Sequence, residues 1–257
     1  MENAVRTGER TSSEAKARRV LLGMLTPSSN TILEPVTSAM LSDLPEVTAH
    51  FGRFRVTEIS LSQSALSQFD NAPLLDAARL LADARVDVIA WNGTSAGWLG
   101  FDQDRALCAA IERETGIRAT SSVLALAEIF RATGVTRYGL VTPYLDDIQE
   151  RTMATFAREG FACAGERHLR DRGNFSFSEV TAAQIAEMCR AVAQASPQAI
   201  TIFCTNLRGA PLAAALEQEL GIPVYDTVAT AVWGSLRVAG VDPARVAGWG
   251  RLFAEVR

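Results

Sequence analysis

Four short runs in this 257-residue chain gather the residue types that hold and protonate a carboxylate-derived anion. They are Thr26-Pro27-Ser28-Ser29-Asn30, Asn92-Gly93-Thr94-Ser95, Thr142-Pro143-Tyr144 and Cys204-Thr205-Asn206. Each follows an apolar run that reads as a strand and leads into a helical pattern. Unpaired backbone N–H groups therefore join the Thr and Ser hydroxyls at one place, which is a ready oxyanion site. Cys204 is the strongest single candidate for chemistry. It ends an apolar strand ahead of a helix start, where a thiol pKa is expected to fall below its free value of about 8.5. Any one of these Thr, Ser or Asn residues is also an ordinary helix cap. Their recurrence at matching positions shifts the balance toward function.

The runs recur because the chain repeats itself. Val88-Ile-Ala-Trp-Asn92-Gly93-Thr94-Ser95 is echoed by Ala199-Ile-Thr-Ile-Phe-Cys204-Thr205-Asn206, and Arg19 to Asn30 by Arg137 to Asp146. Gly116 and Gly221 lie 105 residues apart, and Gly134 and Gly240 lie 106 apart. That period exceeds those of solenoid repeats and points to a duplicated α/β unit. Where the second copy has Cys204, the first has Gly93. A cleft between two such copies carries a thiol on one face only.

The elements that must position these runs alternate apolar, β-rich stretches with helical periodicity, the pattern of parallel sheets with crossover helices. Strands are expected at 20–25, 86–91, 118–120, 138–141, 199–203 and 223–225, with further strands at 47–56 and 162–168. Helices are expected at 31–41, 74–84, 103–114, 122–131, 145–158, 182–193, 211–219 and 227–238. Ser122, Asp146, Asp147 and Thr227 read as caps or first-turn acids. The fold class is α/β with two pseudo-symmetric lobes, each a parallel sheet flanked by helices, and an active site in the cleft between them. Residues 17–133 with 235–257 form the first expected lobe and 134–234 the second, and the C-terminal tail is expected to pack on the first. In such sheets ligands bind beyond the carboxyl ends of the strands.

Composition narrows the function classes. A net charge of −4 and 21% charged residues carry no electrostatic footprint for nucleic acid or an anionic membrane. No apolar run approaches the roughly 18 residues of a membrane span. Residues 1–16 are polar, lack a signal peptide's apolar stretch and read as a disordered tail, so the expected compartment is the cytoplasm. Four cysteines without CxxC pairing and two histidines give no metal site, and no cofactor is expected. Cys108, Cys163 and Cys189 read as structural thiols, and His50 and His168 as surface or strand residues. Arg208 divides evenly between carboxylate binding and solvation. Trp91 and Trp98 read as core packing in preference to pocket walls.

At these motifs the chain resembles the aspartate/glutamate racemase superfamily, across nearly all of residues 19–253. That group includes arylmalonate decarboxylases and maleate cis-trans isomerases, with two α/β lobes and usually two facing cysteines. Gly93-Thr94-Ser95, the segment from Tyr144 to Arg151 and Gly250-Arg251-Leu252-Phe253 are similar to the decarboxylases. Pro27-Ser28-Ser29-Asn30 and Cys204-Thr205-Asn206 are similar to the isomerases. The resemblance implies catalytic roles for Cys204, Thr94, Ser95 and Tyr144. It implies substrate contacts from Pro27, Ser28, Asn30, Gly93, Thr205 and Asn206.

Gly93 can act neither as nucleophile nor as proton donor, so one-sided chemistry fits best: decarboxylation of a substituted malonate-type acid through an enediolate that Cys204 protonates. Two readings stay open beside it. One is a maleate isomerase-like or racemase enzyme acting on a small mono- or dicarboxylate; the other is a catalytically silent binder of small acids. The oligomeric state is open, a homo-oligomer included.

Overall fold

The computed structural model describes residues 18–59 and 71–257. The expected N-terminal tail, residues 1–16, lies outside them. In chain order the first half runs β1 (Val20–Pro27), α1 (Leu33–Met40), β2 (Val47–Phe54), α2 (Asn71–Asp83), β3 (Val88–Trp91), α3 (Ala96–Leu99), α4 (Phe101–Thr115), β4 (Ala119–Ser121) and α5 (Ser122–Ala132). The second half runs β5 (Arg137–Thr142), α6 (Asp146–Arg158), β6 (Ala162–His168), α7 (Ala182–Ala193), β7 (Ala199–Ile202), α8 (Ala213–Leu220), β8 (Val224–Asp226), α9 (Thr227–Ala239) and α10 (Arg251–Glu255).

The duplication is visible in the strand order. One four-stranded sheet is ordered β2-β1-β3-β4 and the other β6-β5-β7-β8, and every pairing is parallel. The central strands β3 and β7 are buried throughout, as apolar strands covered by helices on both faces must be. Leu22 and Met24 of β1 and Leu140 of β5 are fully buried. Each such side chain contributes roughly 1.5–3 kcal/mol on leaving water.

The two sheets are joined by their last helices. α5 follows β4 of the first sheet, yet Phe130 on it meets Tyr138 of β5 and Tyr225 of β8, at ring-centroid distances of 5.6 and 6.3 Å. α9 follows β8 of the second sheet, yet packs on β1, β3 and β4. The two helices cross closely: a Cβ placed on Gly234 would lie 2.9 Å from the Ala125 Cβ. Thr230 Oγ1 also donates to the Ser122 carbonyl at 2.9 Å. The C-terminal tail lies against α9, α8 and β8. Trp233 Nε1 donates to the Val256 carbonyl at 3.1 Å, and the Arg251 N–H donates to Glu217 at 2.8 Å.

The caps of these exchanged helices sit one residue earlier than expected. Ser121 accepts from the Leu124 N–H at 3.1 Å, and Asp226 accepts from the Val228 and Ala229 N–H groups at 2.8 and 3.4 Å. Both have extended backbone, which a cap residue needs and a first-turn residue lacks. The hydroxyls of Ser122 and Thr227 turn instead to the strand ends. Ser122 Oγ donates to the Gly93 carbonyl at 2.8 Å, and Thr227 Oγ1 to the Ile202 carbonyl at 3.3 Å. The expected helix at 211–219 begins later, because a 3-10 turn, Ala210–Leu212, precedes α8. α9 ends at Gly240, whose φ of 79° is left-handed and suits glycine. No helix among the described residues is long and apolar enough to cross a membrane.

Candidate active site

The carboxyl ends of β1, β3, β5 and β7 converge, and the four runs singled out in the sequence meet there. They border a small pocket in which Pro27, Gly93, Thr94, Ser95, Tyr144, Cys204 and Thr205 form part of the wall. Short segments beyond β2 and β6 close it from the side, where Glu58 and Gly173 form an isolated antiparallel bridge.

Tyr144 is the hub. Its hydroxyl lies 2.5 Å from Thr94 Oγ1 and also faces the Cys204 sulfur, so one group from β5 links the ends of β3 and β7. The ring is 1% exposed and is held edge-on by Trp98 and Phe177 at 5.2 and 5.8 Å. Burial raises the phenol well above its usual value, so it remains a neutral hydrogen-bonding group.

Cys204 differs from the expectation of a depressed pKa. Its thiol is pushed up to about 12, chiefly because the residue is 3% exposed and the charged form is desolvated. The Asn206 and Leu207 N–H groups and the Tyr144 hydroxyl favour the thiolate but do not outweigh burial. The chain after the cysteine also withholds the helix N-terminus that the expectation relied on. It enters a turn and then the 3-10 segment, so no α-helix N-terminus stands directly at the sulfur. A neutral thiol is a proton donor at physiological pH; it is not a resting nucleophile.

Asn30 and Asn206 do not line this cavity, because their amides tie the lobes together. Asn30 Nδ2 donates to the Thr205 carbonyl and Oγ1 at 3.1 and 3.2 Å, and its Oδ1 accepts from Ile32 and Leu33 at the start of α1. Asn206 Oδ1 accepts from the Thr31 N–H at 3.0 Å, and its Nδ2 donates to the Asn174 carbonyl at 2.5 Å. Ser28 is likewise engaged, accepting from the Val56 N–H at 3.1 Å. These polar residues shape the walls from behind. Arg208 is exposed.

Sequence reasoning missed Asn174, Val56 and Ile59, all of which line the cavity. The rule that placed ligands beyond β1, β3, β5 and β7 extends to the outer strands β2 and β6, and following those runs further would have reached them. Trp91 and Trp98, read as core, are both core and wall. Pro27, Val56, Ile59 and Trp91 supply apolar lining, and Thr94, Ser95, Tyr144 and Asn174 supply polar lining. Such a cavity can hold one carboxylate on its donors and leave a second group poorly solvated. Among the described residues no group of three or more His, Cys, Asp or Glu side chains is placed to hold a metal ion.

The family model described as arylmalonate decarboxylase matches residues 30–253. The chain is 29% identical to an arylmalonate decarboxylase of Bordetella bronchiseptica over 237 residues, covering 91% of this chain and 96% of that one. It is also 29% identical to a maleate isomerase of Nocardia farcinica over 241 residues, covering 91% and 95%. Among solved structures, a mutant maleate cis-trans isomerase of Nocardia farcinica carrying a covalently bound succinylcysteine intermediate superposes with a TM-score of 0.85 at 27% identity, covering 93% of this chain and 99% of that one. A liganded double mutant of arylmalonate decarboxylase superposes with a TM-score of 0.81 at 25% identity, covering 92% and 99%.

Proposed function

The chain belongs to the arylmalonate decarboxylase/maleate isomerase family, enzymes acting on small carboxylates, and from that premise we propose that it is a cofactor-independent decarboxylase of a substituted malonate-type acid. The observation that carries this reading is the asymmetry of the cavity: a neutral Cys204 thiol on one wall and Gly93, without a side chain, at the matching position of the other.

In this reading Thr94, Ser95 and Tyr144, with backbone N–H groups nearby, hold the carboxylate that is retained. The other carboxylate lies against the apolar wall of Pro27, Val56 and Ile59. Its bond to the α-carbon breaks, carbon dioxide leaves, and the electron pair moves onto the retained carboxylate as an enediolate. Donors already in place stabilise that developing charge, and losing one typically costs about 10²–10³ in rate. Cys204 then transfers its proton to the α-carbon from one side. The resulting thiolate is held by the Asn206 and Leu207 N–H groups and the Tyr144 hydroxyl until a proton from solvent restores it. The products are one enantiomer of a monocarboxylic acid and carbon dioxide.

The second reading, isomerisation of a maleate-like diacid, is favoured by the TM-score of 0.85 to the Nocardia isomerase. The test is carbon dioxide release and proton NMR in deuterated water on a panel of substituted malonates and maleate, for wild type and Cys204→Ser. Gas release with one-sided deuterium incorporation, lost in the variant, is the expected result. Fumarate from maleate without gas would overturn it.

A further inference from the structure

We propose that Trp91 keeps this site one-sided, because its indole occupies the space that a side chain at position 93 would need. This inference rests on the one-sided decarboxylation proposed above, but its geometry is independent of any substrate.

A Cβ built on Gly93 would lie 1.9 Å from Trp91 Cζ2 and 2.3 Å from Cη2. Real Cβ atoms do not approach a ring so closely, so any residue but glycine forces the indole to move. The indole has little freedom to do so. It is 1% exposed, its ring packs on Phe54 at 5.2 Å, and the buried Asp104 carboxyl faces its N–H. The backbone cannot yield easily either, since Ser122 Oγ donates to both the Trp91 and Gly93 carbonyls, at 3.3 and 2.8 Å.

The internal repeat supplies the control. Trp91 and Gly93 correspond to Ile202 and Cys204, at the ends of the equivalent strands β3 and β7. The second lobe pairs a medium side chain two residues upstream with a thiol at the cavity. The first pairs the largest side chain with none. Volume has been moved from position 93 to position 91, and the wall that a second proton donor would occupy is aromatic. Gly93 alone therefore does not define the reaction class; the pair Trp91 and Gly93 does.

The experiment compares wild type, Gly93→Cys, Trp91→Ile and the double variant. The readout is α-deuteration and racemisation of one enantiomer of 2-phenylpropionate in deuterated water, where a thiolate at position 93 removes the α-proton from its face and the neutral Cys204 thiol delivers one to the opposite face. Gly93→Cys alone is expected to gain nothing, and the double variant to exceed it at least about tenfold. Equal racemisation by Gly93→Cys alone, or a folded double variant that stays silent, would overturn the inference. A thermal cycle needs no substrate and separates its failure from failure of the decarboxylase reading. Gly93→Ala is expected to lower the melting midpoint by about 5 °C or more beside Trp91, and far less beside Ile at position 91. Additive shifts would show that the indole is not the obstacle.

Discussion

At the scale of the residue, protonation state decides what Cys204 can do. A thiol pushed up to about 12 is neutral through the whole physiological range. It can donate a proton from pH 6 to pH 9 without change, and it has almost no thiolate with which to attack. A cysteine that must ionise first would instead show activity rising with pH. The kcat profile is therefore expected to lack both a thiolate-dependent rise and a basic fall between about pH 7 and 9; a limb assignable to Cys204 in that range would refute the donor role. Cys204→Ser is expected to lower kcat by at least about 10², since a serine hydroxyl is a far weaker acid. Tyr144→Phe removes the hydroxyl that touches Thr94 and faces Cys204. Single-turnover kinetics should show the chemical step slowed by about 10²–10³, with substrate binding affected less.

At the scale of the element, the strand ends were legible because parallel strands buried on both faces leave a near-continuous apolar signature. β3, buried throughout, ends at Trp91 as expected, and β7, also buried throughout, ends at Ile202, one residue short. The repeat made the convergence of four loops readable before any coordinate. What the sequence hid was direction. Nothing in Asn30 or Asn206 announces whether an amide points into a cavity or across it to the other lobe. The short helix α3 was hidden for a related reason, since four residues carry too little periodicity to register. Asn30 illustrates the consequence. One side chain accepts from the Ile32 and Leu33 N–H groups at the start of α1, as a cap does, and also holds Thr205 on the far side of the cleft. Asn30→Ala should thus lose a cap and leave the Thr205 loop unanchored, at a cost of about 1–3 kcal/mol in urea unfolding. Asn30→Asp keeps the cap acceptor and loses only the donor, so it should recover part of that stability without restoring activity; full recovery of both would place Asn30 outside the site's support.

At the scale of the whole molecule, the exchanged helices α5 and α9 make the two sheets one unit, and two buried acids reveal it through pH. Asp104 lies under the first sheet's site and Asp226 caps α9 from the second, and burial raises both carboxyls to about 7. Below about pH 4 each is protonated in folded and unfolded chains alike, so neither penalises folding. As pH rises toward 7 the unfolded chain ionises freely, near a carboxyl's ordinary value, while the folded chain must stay protonated or bury a charge. Stability should consequently fall between about pH 4 and 7 and level off above. The carboxylates whose values lie below normal, Glu46, Asp146 and Glu219, act in the opposite sense, and only at the acid end of that range. Asp104→Asn should flatten the decline by an amount on the order of 1–4 kcal/mol at pH 7. The packing adds a sharper demand. Trp91 and Trp98 lie in the first half and Trp233 and Trp249 in the second, so tryptophan fluorescence samples tertiary packing in both, while circular dichroism averages over every helix and strand. If α5 and α9 bind the sheets into one cooperative unit, tryptophan fluorescence and far-ultraviolet circular dichroism must give coincident transitions at every pH. Asp104→Asn must then move both together, although it touches only the first half. Separate transitions, or a shift confined to fluorescence, would mean that the sheets unfold independently despite their exchanged helices.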